Sequence, residues 1–252
     1  MESERDEMDG ILDGRCVVLT GASRGIGKAI ATLFVENGAR LVTVARSVGV
    51  QAEPGGPVIA IAGSVSDPET AQRCLAATDA LGGCDILINA AGVFPTATLA
   101  EIDDAHAASV MDTNFHGVLN FCRTFVPDMA RRGGGCVVNV TSLAARAPVP
   151  GMSVYAASKA AVEAFSRSIA VEYARNVRIN CLAPGPTWTE TVEQLAASDT
   201  TGAVEQVVGM IPMGRYGEAA EIADAALYLA TGKGAAFMTG QSLQVNGGAL
   251  MA

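Results

Sequence analysis

The chain has 252 residues, half of them hydrophobic and only 17% charged, against about 25% charged in an average globular chain. That length suits one α/β domain, and a globule of this size buries roughly 70% of the surface its unfolded chain exposes, so neither disulfides nor metals are needed to hold it. A disordered body is excluded, no run approaches the ~18 apolar residues of a membrane span, and a net charge of −9 removes the basic face that nucleic-acid binding requires.

The acidic excess is uneven. Glu2, Glu4, Asp6, Glu7 and Asp9 stand against Arg5 alone, which predicts a flexible acidic tail over 1–10 with neither the apolar core nor the basic start of a targeting peptide. The folded domain is expected over 11–252. Cysteines at 16, 74, 84, 122, 136 and 181 form no CxxC pair and cluster with neither His106 nor His116, which predicts no metal site and buried free thiols in a cytoplasmic protein.

In chain order, an apolar strand at 15–20 leads through a glycine-rich turn to a helix at 27–37, ended by Gly38. Strands follow at 40–45 and 58–62, then a helix at 68–81 opened by Asp67 and Pro68, a strand at 85–90, and a helix at about 112–132 closed by the glycines 133–135. A strand at 136–141, a helix at 154–174, a strand at 177–183, a helix at 218–231 and a strand at 242–245 complete the series. Strands that are apolar throughout belong to a parallel sheet covered on both faces, so the expected fold is a Rossmann-type, doubly wound α/β sheet of about seven strands in a single domain. The least regular stretch, 184–213, is expected to form a substrate lid beyond a strand's carboxyl end.

The turn after the first strand reads Gly21-Ala22-Ser23-Arg24-Gly25-Ile26-Gly27. Glycines there let the backbone approach a diphosphate closely, and the following helix start offers free N–H groups and a positive dipole end. At the end of the second strand, where an acid would hold the ribose 2′-hydroxyl of NAD, the chain has Ala45 and Arg46. Arg46 with Arg24 offers two guanidiniums to a 2′-phosphate, favouring NADP(H) over NAD(H); the plain alternative is a pair of solvated surface arginines. Tyr155 and Lys159, four apart near a helix start, share a helix face, and an ammonium beside a phenol draws its pKa down toward working pH. Ser142, at the end of the strand 136–141, can bring a hydroxyl to the same substrate oxygen.

With these pieces in this order, and with Asn89-Ala90-Ala91-Gly92, Asn114, Pro184-Gly185, Met238-Thr239-Gly240-Gln241 and Val245-Asn246-Gly247-Gly248, the chain resembles the short-chain dehydrogenase/reductase family over nearly all of 11–249. The resemblance implies Tyr155 as catalytic acid/base, Lys159 lowering its pKa and holding the nicotinamide ribose, Ser142 orienting the carbonyl, and Asn114 anchoring a water for proton relay. It implies cofactor contacts from Gly21, Ser23, Arg24, Gly25, Ile26, Gly27, Arg46, Ser64, Val65, Ala90 and Gly92, with Asn89 stabilising the central strand. Pro184, Gly185, Thr187 and Thr189 would meet the nicotinamide end. Ser64 stands where relatives usually carry an adenine-binding Asp, and Asn89-Ala90 where two asparagines are common; the stretch 47–57 is short.

Position puts Phe94, Ala144, Met152, Trp188 and Met210 at the substrate, and their apolar character favours a hydrophobic or acyl-type ketone. The expected reaction is NADPH-dependent reduction to a secondary alcohol. Two alternatives stand beside it: an NAD-dependent alcohol dehydrogenase acting on a sugar, polyol or steroid, and a non-catalytic NADP-binding regulator. The overall pattern is similar to 3-oxoacyl-(acyl-carrier-protein) reductases, which implies an acyl-carrier protein as a partner that Arg131, Arg132 and Arg175 could meet, and the family implies a homotetramer or homodimer. The alanines Ala156, Ala160, Ala161, Ala164 and Ala170 would permit close helix packing, between subunits or within one.

Overall fold

Seven apolar runs become parallel strands of one sheet, in a computed structural model that describes residues 10–46 and 56–251. The predicted tail, up to residue 9, and positions 47–55 of the short stretch 47–57 lie outside the described residues. The strands are β1 (Cys16–Thr20), β2 (Arg40–Ala45), β3 (Val58–Ala62), β4 (Ile86–Asn89), β5 (Gly135–Val140) and β6 (Val177–Pro184). A two-residue pair, β7 (Thr187–Trp188) with β8 (Gly217–Glu218), stands apart, and β9 (Ser242–Val245) closes the large sheet. The order is β3-β2-β1-β4-β5-β6-β9. Val17 of β1 faces Leu41 on one side and Ile86 on the other. The chain therefore winds outward in both directions from β1 and β4, and a crevice opens beyond their carboxyl ends.

Eight α-helices appear among the described residues: α1 (Gly25–Glu36), α2 (Pro68–Asp79), α3 (Asp104–Met111), α4 (Gly117–Arg131), α5 (Ser153–Tyr173), α6 (Glu190–Ser198), α7 (Ala203–Gly209) and α8 (Ala219–Thr231). Alternate residues of the inner strands feed two separate cores. Val17 and Leu19 pack with Ile30 and Phe34 of α1 and with Ile222 and Leu227 of α8. Val18 packs on the other face with Cys74 of α2, Phe121 and Phe125 of α4 and Val162 of α5. Both faces are dry, which is why the strands show no polar alternation.

Three segments differ from the sequence expectation. The helix expected over 112–132 begins with a π-turn, Asp112–His116, and α3 precedes it, N-capped by Asp103, whose carboxylate takes the N–H of His106 at 2.7 Å. Residues 184–213 are not irregular but carry α6 and α7. Helix α1 starts two residues earlier than expected, because the glycine turn itself winds directly into it. Asp67 and Pro68 open α2 as the sequence implied, with the Asp67 carboxylate accepting from the N–H of Glu69. No described helix is long and apolar enough to cross a membrane.

Candidate active site

Thr20 ends β1 and ties the two halves of the crevice together: its hydroxyl oxygen accepts the N–H groups of both Ala90 and Ala91, each at 3.1 Å, just past β4. The glycine turn is then forced by crowding. Gly21 sits at φ +74°, and a Cβ on it would lie 2.7 Å from the Ala91 backbone, while one on Gly27 would run into the Gly21 carbonyl. Arg24 precedes α1 without a side-chain cap, and a carboxylate from another element supplies one. Glu190, the first residue of α6, accepts the Gly25 N–H at 2.8 Å and stands 3.7 Å from the Lys28 ammonium. Its own backbone N–H, with Gly25 and Lys28 after it, holds the Glu190 carboxyl below the usual range against a smaller opposing effect of burial.

Helix α5 presents Tyr155 and Lys159 to the crevice beside Ser142, which follows β5. Burial pushes the Tyr155 phenol up, and a hydrogen bond with Ser142 draws it back. The Lys159 ammonium is buried and hydrogen-bonded to the Val140 carbonyl at 2.9 Å, with its nitrogen 5.8 Å from the Tyr155 ring centroid. Burial lowers Lys159 itself to about 8. Burial thus acts on both ionisable groups at once, raising the phenol and lowering the ammonium.

Asn114 is fully buried in the π-turn, a device common at functional sites. Its amide clamps the strand-like segment after Gly92, accepting the Val93 N–H and donating to the Val93 carbonyl, both at 2.9 Å, and donating to the Ser158 hydroxyl at 3.1 Å. A Cβ on Gly92 would come 3.4 Å from Asn114 and 3.5 Å from the Lys159 nitrogen, so both face one point beside the cleft. Asn89 is buried and donates to Asn139 on β5, whose amide reaches Ser166 of α5, a polar ladder through the sheet.

These elements enclose a cleft of about 770 Å³ running from Arg46 and the glycine turn to Tyr155. Of the sequence-predicted site residues, Gly21, Ser23, Arg24, Gly25, Ile26, Gly27, Arg46, Ser64, Val65, Ala90, Gly92, Ser142, Tyr155, Lys159, Pro184, Gly185, Thr187 and Thr189 line it. Phe94, Ala144 and Met152 line it too, with Phe94 edge-on to the Tyr155 ring at 6.2 Å. Asn89 and Asn114 stand behind the wall. Two of the expected residues do not line it: Trp188, on β7, stacks edge-on against Tyr216 at 5.5 Å, and Met210, just past α7, is 72% exposed. The charged side chains lining the cleft, among the described residues, are Arg24, Arg46, Lys159 and Asp199, three cations to one carboxylate. That donor set, with a glycine-walled helix start, fits an elongated dinucleotide.

Sequence reasoning missed the upper wall, Val192 and Leu195 of α6 with Val204 and Val207 of α7, whose spacing of three was the available signal. It also missed Asn139, Ser158 and Ser166, which read as ordinary strand and helix residues. Arg131 and Arg132 share Asp128, and Arg132 also ties down the Gly82 and Cys84 carbonyls. With Arg175 they precede the starts of β5 and β6, at the end of the sheet away from the cleft within one chain. The six thiols are buried, and among the described residues no three His, Cys, Asp or Glu side chains are grouped to share a metal.

Comparison with known proteins agrees with this picture. The family model described as enoyl-(acyl carrier protein) reductase matches residues 21–249. The chain is 37% identical to a 3-oxoacyl-(acyl-carrier-protein) reductase of Vibrio cholerae over 95% of this chain and 99% of that one. It is 38% identical to galactitol 2-dehydrogenase (L-tagatose-forming) of Cereibacter sphaeroides over 94% and 95%. Among solved structures, ligand-free aldohexose dehydrogenase of Thermoplasma acidophilum superposes with a TM-score of 0.88 at 28% identity, covering 96% of each chain.

Proposed function

The chain is a member of the short-chain dehydrogenase/reductase family of oxidoreductases, and from that premise we propose that it reduces an apolar or acyl-type ketone to a secondary alcohol with NADPH. The observation that carries the reading is that Ser142, Tyr155 and Lys159 line one cleft with the glycine turn, where the Tyr155 phenol, raised by burial, is an acid able to give its proton to a developing alkoxide. Bound reduced nicotinamide would supply the hydride. Ser142 and Tyr155 together hold the substrate oxygen, and their hydrogen bonds strengthen as negative charge gathers on it. Lys159, cationic below about pH 8, adds positive potential under the phenol and offers a route for replacing its proton past Asn114.

The choice of NADPH rests on Arg46 and Arg24, which line the end of the cleft where a ribose 2′-phosphate would lie; among the described residues the one carboxylate lining the cleft is Asp199, after α6. The choice of an apolar substrate rests on Phe94, which lies edge-on to Tyr155, and on Met152, Val192, Leu195 and Val207, which line the same cleft. Helices α6 and α7 act as the substrate lid. The test is consumption of NADPH and NADH with a panel of aliphatic and aromatic ketones. The expected result is a preference for NADPH of at least about tenfold in kcat/KM, lost in Arg46→Ser, a difference of ~1.4 kcal/mol. An intrinsic preference for NADH with polyols would instead support the sugar or polyol dehydrogenase reading, and cofactor binding without turnover would support the regulator.

A further inference from the structure

Glu163 is a carboxylate that the chemistry above does not use. It lies on α5 one turn beyond Lys159 and is 4% exposed. Both of its oxygens are engaged: Oε2 accepts from Nε of Arg146 at 3.0 Å and stands 3.8 Å from the Arg167 guanidinium, while Oε1 accepts the Ser242 hydroxyl of β9 at 2.7 Å. A carboxylate so buried must have both oxygens paired, and here they are. Arg146 ends the single 3₁₀ turn Leu143–Ala145, and the residue that caps the start of this turn is Ser142, whose hydroxyl oxygen takes the Ala144 N–H at 3.1 Å. The ion pair thus joins the turn that carries Ser142 to the helix that carries Tyr155 and Lys159, and Ser242 ties both to the sheet.

We propose that Glu163 and Arg146 are positioning residues: their ion pair fixes the Ser142 turn against α5 in the register that brings the Ser142 hydroxyl to the Tyr155 phenol. The inference rests on the reading that Ser142 and Tyr155 hold the substrate oxygen. A loop anchored only by backbone contacts would let the hydroxyl wander, and displacement of a reacting group by about 1 Å can cost 10²-fold in rate. The groups facing Tyr155 are Ser142 after β5, Phe94 after β4 and Lys159 on α5 itself. Those facing Glu163 are Arg146, Arg167, Ser242 and, from β6, Cys181, whose thiol is pushed up to about 11 by burial first and by this carboxylate in part. Ser142 draws the phenol down against its burial, so freeing the turn that carries Ser142 raises the phenol further.

The test is the pH dependence of kcat for alcohol oxidation, in which the phenol must first lose its proton, in Arg146→Gln, Glu163→Gln, the double variant and Ser142→Ala. Expected are a roughly 10- to 100-fold loss of kcat in each single variant, cofactor KM within about twofold, and an alkaline shift of the profile in the same direction as in Ser142→Ala. The double variant should be no worse than the worse single one, since the two act as a unit. Arg146→Lys keeps the charge and should restore the wild-type profile; it also carries the test if Arg146→Gln does not fold. Variants that melt at lower temperature but keep the wild-type kcat and pH profile would overturn the proposal and leave the pair a structural brace. Activity retained in Tyr155→Phe would instead overturn the underlying reading of the site, a separate outcome.

Discussion

Burial sets the two central proton-bearing side chains in opposite directions, raising the Tyr155 phenol and lowering the Lys159 ammonium to about 8. For a lysine the charged form is the one that desolvation penalises, so between pH 8 and the unfolded value near 10.4 the unfolded chain keeps a proton that the folded chain has released. Stability conferred through Lys159 therefore rises with pH across that window and is lowest below it, the sign expected of a group that burial holds against its charge. Catalysis runs the other way. Reduction needs the phenol protonated and the ammonium charged, so kcat/KM for the ketone with NADPH should be level at neutral pH and fall as pH passes 8, a limb that Lys159→Met should remove together with most of the activity. A profile that stays level up to pH 10 in the wild-type protein would contradict this assignment. That Ser142, Tyr155 and Lys159 would stand together at one cleft was legible in the sequence from their order, their spacing and the family resemblance. Their electrostatics were not, because the spacing places the ammonium near the phenol but does not reveal that its nitrogen is given to the Val140 carbonyl or that both groups are dry.

At the scale of elements, the glycine turn, α1 and the overhanging pair α6 and α7 work as one unit. Glu190 caps α1 from outside by taking the Gly25 N–H, and the Cγ of Thr189 would lie 3.3 Å from a Cβ on Gly25, so the start of α6 is seated directly on the turn that receives the cofactor. Glu190→Ala removes that seat along with its contact to Lys28. Proteolytic cleavage within 190–209 of the cofactor-free protein should then quicken several-fold, with saturating NADPH restoring protection by mass action. Cleavage at the wild-type rate would show that the overhang is held by its apolar contacts alone. The sequence marked this stretch as the cover of the cleft but read it as irregular. The reason is physical: neither α6 nor α7 contains a buried residue, and their apolar pairs, Val192 with Leu195 and Val204 with Val207, line the cleft in helices too short to show the long stripe of a helix packed on a core. Helix α3 escaped notice for the same cause, with Val110 its one buried side chain.

At the scale of the molecule, a strongly acidic chain concentrates three cations around the cleft, and their placement follows from the winding. Arg24 and Arg46 come from the ends of β1 and β2, which lie side by side, and Lys159 comes from the helix that crosses behind β5. The sheet and its two cores were legible because the inner strands are mostly apolar on both faces, as Val17, Val18 and Leu19 in succession show. What the sequence could not display were pairings between distant elements, such as the Asn89–Asn139–Ser166 ladder and the Arg146–Glu163 pair, since a polar residue within a strand or helix looks the same whether it faces water or a partner. Net charge argues against a nucleic-acid polymer as partner, yet it says nothing about a local anion site, which a few cationic side chains can form. All of this converges on one claim, that Tyr155 delivers the proton during hydride reduction of a ketone. Its most direct test is the turnover of NADPH with an apolar ketone by Tyr155→Phe, read alongside NADPH affinity and the unfolding midpoint. The account predicts that turnover falls by at least about 10²-fold while affinity and unfolding stay close to wild type, and turnover at the wild-type rate in that variant would contradict it.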